Sequence, residues 1–459
     1  MGDGMKRLLF CTVLIAAIAG GTAATRLTSN VVTTAPVLSQ IAAAGASEVA
    51  DVGVSSSGWY CVSAQPTALI FSSTSARTVV GTITSVGSGA AGTTAVSVSP
   101  GAQVQVPPPA KATGAQAETV ILYGGSVSVG ELYTGSIGWS VNQCASSTSP
   151  TWYFPQGSTI AGNSLTLDIY DPSATPAVVD VDLLTSSGEA EPSAYQGIAV
   201  APGQVVSESL DAHATQDPEV GTIVQTVSGS VVAEELGTFT AGGVPGLASQ
   251  LGAPNGEQSW SFPYCDAPVG STLTFNVVNP GTSPSRVVLQ AYDGSKVALH
   301  PEVASVPGHT TASIVLTTDP NFVAATPYSV VVTGSRDIVV GRTLATSAAV
   351  ESMPGVPDGT RNWLVPSPPT SETVATMTLQ ALGSKPVLVR IVRSLRDAPL
   401  AKGTNVVTLI KPNAPAVVSA TALALYQGPW VIKANGPVVV ELDAVASTGT
   451  VEIPAYVLP

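Results

Sequence analysis

Charged side chains are scarce in this sequence of 459 residues, because only 10% are Asp, Glu, Lys or Arg. Lysine and arginine together number 17 against 30 acidic residues, which gives a net charge of −13. Nucleic-acid binding depends on basic side chains that face phosphates, so this balance argues against a nucleic-acid partner. It argues equally against a basic patch for anionic lipid.

Residues that carry common catalytic chemistry are also few. The three histidines, His213, His300 and His309, form no His-Glu-x-x-His motif, and no Gly-x-Ser-x-Gly motif occurs. The Gly-rich stretch at 87–92 precedes a strand-like segment, whereas a dinucleotide motif must open a helix. We therefore expect a protein that is not an enzyme and has no cofactor. Metal binding by His300 and His309 across a hairpin stays open as an alternative.

Carboxylates are concentrated in one quarter of the chain. Asp180 and Asp182 lie two residues apart on a strand-like segment, so they share one face, and Glu189 and Glu191 follow. Such a group could bind calcium or serve glycoside chemistry, and the plainer interpretation is a solvated acidic face.

A second set of acids recurs late in three strand-like segments. We expect these three glutamates to form an edge or cap feature and not a catalytic set. They are Glu131, Glu235 and Glu441.

Helical patterning is nearly absent after the first thirty residues, whereas valine, threonine and serine are abundant. With 44 glycines, 36 prolines and 44% hydrophobic residues, the chain can bury a core made of many short strands joined by turns. This composition predicts an all-β fold.

The N-terminus combines Lys6 and Arg7 with an apolar run from Leu8 to Ala24. This pattern is typical of a secretory signal peptide, with cleavage after Ala19 or Ala24. A run of about 17 residues is also near the lower limit for a spanning helix, so an uncleaved membrane anchor is the alternative. Either way, we expect the bulk of the protein to be extracytoplasmic.

Three cysteines follow this leader: Cys61, Cys144 and Cys265. An exported protein can hold a disulfide, and three thiols allow one bridge and one remaining thiol. The sequence alone does not choose the pair. We favour Cys61 with Cys144, and Cys265 as a small buried side chain. No pair has zinc-ligand spacing, so we expect no metal at these cysteines.

Tryptophan marks an internal repeat. Four segments begin GWYCV, TWYFP, SWSFP and NWLVP, with Trp59, Trp152, Trp260 and Trp363 spaced 93, 108 and 103 residues apart. Each segment continues to a tight turn at Pro100, Pro202, Pro307 or Pro412, and then to a closing strand such as GSVSVGEL or GSVVAEEL. A proline followed by Gly or Asn favours a type II turn, whose second central residue has positive φ. In the second and third segments, Asp171-Pro172 and Asn279-Pro280 predict an earlier turn.

Each repeat holds six or seven short alternating strands, which is typical of an antiparallel β-sandwich of immunoglobulin or fibronectin type. A propeller is the alternative fold. The predicted organisation is a signal or anchor at 1–26, a stalk at 27–57, and four sandwiches at 58–150, 151–258, 259–360 and 361–459. The second and third sandwiches each end in a Gly- and Pro-rich linker, at 237–258 and 345–360.

The tandem Trp-Tyr-Phe-Pro starts, the downstream Asn-Pro turn and the closing valine-rich strand resemble an uncharacterised family. It comprises exported actinobacterial proteins that carry a domain of unknown function. The resemblance extends over Trp59 to Val445 and is strongest at TWYFPQGST, DIYDPSATPAVVDV and SWSFP. It implies an extracytoplasmic β-rich protein without known catalytic residues.

These observations favour a non-catalytic cell-envelope protein that acts as a structural or interaction scaffold. Its expected partner is an envelope glycan or an envelope protein, and the membrane as well if the N-terminal segment is retained. Two alternatives remain. One is a carbohydrate-active enzyme or glycan-binding module with an acidic site in the second sandwich, and the other is an accessory subunit of a secretion or transport complex.

The leader can be tested directly by mass spectrometry of the mature N-terminus after fractionation of native cells. Cleavage predicts that the protein begins at Gly20 or Thr25. Anchoring instead predicts a membrane fraction that retains the Leu8–Ala24 run. A cytosolic protein with an intact N-terminus would contradict both.

Overall fold

A computed structural model describes residues 47–459, except for 52, 63–65, 88–91, 110–114, 244, 295, 370–373, 393–405, 419–428 and 447–448. The predicted signal or anchor and most of the predicted stalk lie outside the described residues. Among the residues described, none forms a helix with the length and apolar character needed to cross a membrane. These residues form 33 strands and four short 3-10 helices, so the all-β prediction is confirmed.

The first sandwich contains eight strands. They are β1 (Ser57–Cys61), β2 (Ala68–Ser73), β3 (Val79–Gly87), β4 (Gly92–Val98), β5 (Gln103–Val106), β6 (Gln116–Leu122), β7 (Val127–Gly135) and β8 (Gly138–Gln143).

The second sandwich contains nine strands and three 3-10 helices, at Ser193–Tyr195, Leu210–Ala212 and Ala241–Gly243. The strands are β9 (Thr151–Phe154), β10 (Ser164–Tyr170), β11 (Ala177–Thr185), β12 (Gly188–Ala190), β13 (Ile198–Val200), β14 (Val205–Ser209), β15 (Gly221–Ser228), β16 (Val232–Phe239) and β17 (Gly246–Leu251).

The third sandwich contains eight strands and a 3-10 helix at Leu316–Thr318. The strands are β18 (Glu257–Cys265), β19 (Thr272–Asn279), β20 (Ser285–Asp293), β21 (Lys296–Val297), β22 (Glu302–Val306), β23 (Thr310–Val315), β24 (Tyr328–Ala345) and β25 (Val350–Pro354).

The fourth sandwich also contains eight strands. They are β26 (Thr360–Val365), β27 (Val374–Ala381), β28 (Val387–Val392), β29 (Val406–Ile410), β30 (Pro415–Val418), β31 (Trp430–Ala446), β32 (Gly449–Ile453) and β33 (Tyr456–Val457).

One strand topology recurs four times. In the first sandwich the two sheets have the orders β1-β6-β3-β4 and β5-β2-β7-β8. The second sandwich repeats them as β9-β15-β11-β13 and β14-β10-β16-β17. In the third and fourth sandwiches, the long strands β24 and β31 pass through both sheets, so each takes the place of two strands of the first sandwich, β6 and β7. The prediction of tandem antiparallel β-sandwiches is therefore confirmed.

The four repeat tryptophans occupy the same place in this topology. Each lies on the first strand of its sandwich, is at most 2% exposed, and pairs with the central strand beside it. The facing pairs are Trp59 with Val120, Trp152 with Val224, Trp260 with Val332, and Trp363 with Ile432. A large indole at this place fills the space between the two sheets.

Three of these indoles make equivalent hydrogen bonds. Their Nε1–H groups donate to a backbone carbonyl at the start of the closing strand, at Val231, Ile338 and Val438, over 2.8 to 2.9 Å. The indole N–H of Trp59 has no such partner, and its ring packs edge to face on Tyr456 of the fourth sandwich.

The repeated turns explain the proline landmarks. Positive φ occurs after the turn proline at Gly101, Gly203 and Asn413, as the type II pattern predicts. In the third sandwich it occurs one residue later, at His309. Gly308 takes the intervening place, where a Cβ would press against the backbone of Thr282.

The four sandwiches pack directly against one another. Their contacts close into a ring: β8 meets β17, β17 meets β25, β25 meets β32, and β32 meets β8. Hydrophobic cores cross these boundaries as well. The core of the first sandwich includes Leu364, Val431 and Tyr456 from the fourth, and the core of the fourth includes Trp139 from the first.

Part of the predicted stalk belongs to this ring. Ser47, Val49 and Ala50 are buried, and Glu48 forms a parallel bridge with Val457 on β33. The Val49 N–H donates to the Val457 carbonyl at 2.9 Å. The segment just before β1 is therefore held between the first and fourth sandwiches.

Because the ring is closed, we predict that a destabilising substitution near the C-terminus also destabilises the first sandwich. Tyr456→Ala should cost about 3 to 5 kcal/mol, because it removes a fully buried aromatic ring. Tyr456→Phe should cost about 1 kcal/mol, because it removes the hydrogen bond to the Val129 carbonyl. Denaturant unfolding gives these values, and hydrogen exchange should accelerate in β1 and β7.

The matched control is Tyr123→Phe at a tyrosine that is 61% exposed, where no change is expected. Faster exchange confined to residues 360–457 would show that the first sandwich does not depend on the fourth.

Candidate functional site

A pocket lies where the four sandwiches meet, and much of its lining comes from the last full strand of each: β8, β17, β25 and β32. Its internal space is about 100 Å³. Leu247 and Met353 contribute apolar surface, as does Trp139. A site assembled from four repeats has no counterpart within any single repeat.

The strands β17 and β25 arise from the two segments that the sequence predicts to be linkers. Gly and Pro are abundant in these segments, and the glycines permit close packing between sandwiches. Gly246 pairs in parallel with Val350, and a Cβ at Gly246 would meet Val350 at 2.7 Å. The linker prediction is thus replaced by two strands that join the second and third sandwiches.

Polar side chains hold β8 against β17 on one side of the pocket. Asn142 Oδ1 accepts from the Leu251 N–H at 3.0 Å, and Asn142 Nδ2 donates to Ser249 Oγ at 3.3 Å. The Ser249 N–H donates to Ser140 Oγ at 3.0 Å. These bonds fix the register of two strands that share no backbone ladder.

Between the fourth and first sandwiches, Gln143 serves the same purpose. Its Nε2 donates to the Ala455 carbonyl at 3.0 Å, and its Oε1 accepts from the Ser47 N–H. Gln143 therefore links β8 to the chain leaving β32 and to the segment before β1.

A charged cluster spans the third and fourth sandwiches. The Arg342 guanidinium lies 2.8 Å from Glu441 and 3.1 Å from Glu452. It also donates to the Tyr264 carbonyl, while the Tyr264 N–H donates to Glu441 at 3.1 Å. Arg342 is 5% exposed, so its two salt bridges are shielded from solvent.

Acids outnumber the base in this cluster. One carboxylate oxygen each from Glu441, Asp443 and Glu452 lies within 4.8 Å of the others. Burial, followed by repulsion from Glu441, raises the pKa of Asp443 and of Glu452 well above the usual range. Burial also raises the pKa of Glu441, although Arg342 opposes this.

The three glutamates predicted to form an edge or cap are instead buried on central strands. Glu131 and Glu235 are at most 1% exposed, and Glu441 is 2% exposed. Their strands β7, β16 and β31 lie next to the pocket strands, and each faces a neighbouring sandwich. The edge interpretation was wrong because the recurrence reflects contacts between repeats, which one repeat does not reveal.

Glu131 and Glu234 bring two carboxyls together where the first and second sandwiches meet. Burial, and then the neighbouring Glu234, raises the pKa of Glu131 well above its usual range. Glu234 hydrogen-bonds to Ser249, and Tyr133 lies 3.5 Å away. Two adjacent buried carboxyls cannot both ionise at low cost, so burial and mutual repulsion favour a shared proton on this pair.

Glu235 begins a chain of side-chain bonds toward the third sandwich. Thr222 Oγ1 and Gln250 Nε2 donate to its carboxyl at 3.0 and 2.9 Å. Gln156 Nε2 then donates to Gln250 Oε1 at 3.1 Å, and Gln156 rests on Gly341, where a Cβ would not fit. Burial raises the pKa of Glu235 to about 8, against the lowering effect of both donors.

The structure places Cys61 and Cys144 in a disulfide that is inaccessible to solvent. The Glu131 carboxyl lies within 4.8 Å of both sulfurs, but bonded sulfurs are not metal ligands. Cys265 is a free, fully buried thiol whose pKa is raised by burial. The bridge closes a loop of 83 residues, which constrains the unfolded chain by about 4 to 5 kcal/mol on entropic grounds.

The two histidines considered as a metal pair have separate partners. His309 Nδ1 lies 2.8 Å from Glu189, which links the third sandwich to the second. His300 Nδ1 lies 2.9 Å from Asn321 Nδ2 within the third sandwich.

The acidic side chains of the second sandwich, considered as a calcium or glycoside site, accept hydrogen bonds from neighbouring residues of the same sandwich. Asp180 Oδ1 accepts from the Gly197 N–H, and Asp182 Oδ1 accepts from Gln196. Burial is the largest cause of the raised pKa of Asp182. In the described part of the chain, these acids are not among the groups of three or more whose ligand atoms converge within 4.8 Å.

Comparison with known proteins gives a partial match. The model of a family of unknown function, DUF5719, matches residues 110–244, which include β6 to β16. This match supports the resemblance to an uncharacterised family, and it crosses from the first sandwich into the second. No curated protein matches the chain significantly.

Two solved structures are similar to small parts of the chain. One is the crystal structure of Thermotoga maritima 1070, with 15% identity, 22% of this chain covered, 93% of the other covered, and a TM-score of 0.20. The other is the Anabaena sensory rhodopsin transducer, with 20% identity, 18% and 92% coverage, and a TM-score of 0.17. At these scores neither carries an argument about this protein.

The buried carboxyl of Glu235 predicts a specific pH dependence. Its pKa is about 8 in the folded state against 4.5 ordinarily, so the folded state holds a proton that the unfolded state loses. Its stabilisation is complete below pH 4.5 and is lost as the pH rises through 8. The slope contributed is up to about 1.4 kcal/mol per pH unit.

Glu235→Gln, which mimics the protonated form, should reduce that slope in urea unfolding curves recorded across this range. Glu191→Gln, at an exposed position of the same sandwich, is the matched control and should leave the slope unchanged. Equal slopes for wild type and Glu235→Gln would mean that Glu235 is ionised in the folded protein.

Proposed function

We propose that this protein is a non-catalytic, exported scaffold of the cell envelope that holds an envelope glycan or protein on its outer surface. We further propose that it belongs with exported actinobacterial proteins built from tandem Trp-Tyr-Phe-Pro modules. The N-terminal leader would either be cleaved or retain the chain on the membrane, with the β-sandwiches outside.

The observation that carries this proposal is the closed ring of four sandwiches with one topology. Each repeat gives its last full strand to the centre. The strands that end the two sheet orders on the other side are β4 and β5, β13 and β14, β22 and β23, and β29 and β30. Such an arrangement presents four similar outer edges. A repeated outer surface suits binding to extended or repetitive material.

The disulfide between Cys61 and Cys144 supports an oxidising compartment, because such bonds persist outside the cytosol and are rare within it. The scarcity of lysine and arginine, with a net charge of −13, suits a surface that does not bind nucleic acid.

Some outer positions are apolar enough to contact a partner. Leu388 on β28 and Leu409 on β29 face each other in register and are 43% and 64% exposed. Val417 on β30 of the same sandwich is 48% exposed. An exposed apolar pair on the edge strand β29 and its neighbour fits a protein partner better than a bare glycan chain.

Location and redox state can be tested together on native cells. Cells are alkylated without reductant, fractionated, and the cysteine peptides are examined by mass spectrometry. We expect recovery in the envelope or the medium, with Cys61 and Cys144 joined and protected. A known cytosolic protein with free thiols, alkylated in the same lysate, is the control.

Recovery in the cytosol with both cysteines alkylated would end the proposal of an exported scaffold. Cross-linking of the intact envelope before fractionation then distinguishes a glycan-bound from a protein-bound form by the mass added.

A further inference from the structure

The pocket at the centre of the ring combines an apolar lining with an internal space of about 100 Å³. A water molecule needs about 10 to 15 Å³ of such space, so the pocket admits a molecule of about seven to ten non-hydrogen atoms. Trp139, Leu247, Met353 and Pro354 supply apolar surface from three sandwiches. These walls favour an organic ligand over a bare ion, because an ion would lose its hydration without replacement.

The polar part of the lining is dominated by carboxyls. Arg342, Glu351 and Glu452 line the pocket, and Glu441 and Asp443 stand directly behind them. The guanidinium contacts Glu441 and Glu452, Asp443 lies beside them, and Glu351 lines the same pocket. Glu351 and Asp443 interact electrostatically, so the group is coupled across the third and fourth sandwiches. Burial favours the protonated form of these acids, and a cation bound beside them would favour the ionised form, because an opposite charge within about 4 to 6 Å stabilises a carboxylate. An anion would gain no such contact.

A second, independent observation lies on the wall formed by the first sandwich. Ser146 lines the pocket, is 6% exposed, and its hydroxyl has no hydrogen-bond partner. A buried hydroxyl without a partner costs free energy unless a ligand or water satisfies it. Across the ring, Asp443 Oδ2 is also buried without a hydrogen-bond partner.

We propose that this pocket binds a small organic cation of about nine non-hydrogen atoms in all, a primary ammonium carried on an apolar body. The ammonium donates to the carboxyls of Glu351 and Glu452 and the apolar body packs on Trp139. Nothing in this site depends on export or on an envelope partner, so the inference goes beyond the proposed scaffold function.

A metal ion fits the same residues less well. The Arg342 guanidinium already lies 2.8 Å from Glu441 and 3.1 Å from Glu452, and a divalent ion would have to sit beside this fixed positive charge. Calcium also prefers six to eight oxygen ligands, whereas the pocket surface is mostly apolar.

The test uses the purified full chain and three probes of matched size: phenethylamine, 2-phenylethanol and phenylacetate, which are cationic, neutral and anionic. Calorimetry or ligand-observed NMR should give phenethylamine an affinity at least about tenfold above that of 2-phenylethanol, a difference of one charge-assisted contact. Phenylacetate should not bind.

Two variants locate the site. Glu351→Gln should weaken phenethylamine about tenfold, because it removes one carboxylate while preserving shape. Leu247→Trp should abolish binding by filling the pocket, with thermal unfolding used to confirm that the variant is folded. Glu302→Gln on β22, outside the pocket, is the matched control and should bind as wild type does.

Equal binding of the amine and the alcohol would overturn the proposal, as would an unchanged affinity in folded Leu247→Trp. Calcium binding that is tighter than amine binding and is lost in Glu351→Gln would replace it with a metal site. Because these measurements use purified protein, a failure here leaves the proposed cellular location standing, and the reverse also holds.

Discussion

The packing of four equivalent strands, β8, β17, β25 and β32, against one another is the constraint on which the rest of the structure depends. Each sandwich has a complete two-sheet core around its tryptophan, yet its last full strand lies against two neighbours. The cores of the first and fourth sandwiches even exchange residues, such as Tyr456 and Trp139. Stability is therefore shared around the ring, unlike in an open array, where each repeat contacts only its predecessor and successor.

Polar groups at the junctions determine how the sandwiches meet. Apolar surfaces alone would permit sliding, because hydrophobic burial has no direction. Asn142, Gln143 and Gln250 each join two elements through bonds of defined geometry, and Arg342 does so with two carboxylates. Burying these groups costs desolvation energy. Networks whose donors and acceptors are satisfied offset this cost and favour one arrangement of the sandwiches. A proton shared by the adjacent carboxyls of Glu131 and Glu234 lessens that cost.

Much of the fold follows from the sequence because its signals are local. A tryptophan, a proline turn and an alternating closing strand recur within about 100 residues, and together they predict the repeated sandwich. The ring does not follow, since it depends on contacts between residues hundreds of positions apart. The segments holding β17 and β25 resemble linkers because short strands packed closely against neighbours need Gly and Pro. Likewise, Glu131 and Glu441 look like edge residues until the neighbouring sandwich is present.

Divergence among the repeats accounts for the charged lining residues of the central pocket, which come only from the third and fourth sandwiches. The pairing of the second strand with the seventh makes Glu131, Glu235, Arg342 and Leu442 equivalent, since they face Leu69, Leu167, Phe275 and Met377. One arginine in the third sandwich compensates acids of the fourth, while the first two sandwiches rely on protonation and amide donors. The repeat provides the frame, and differences among the repeats at positions such as this one determine where charge is buried.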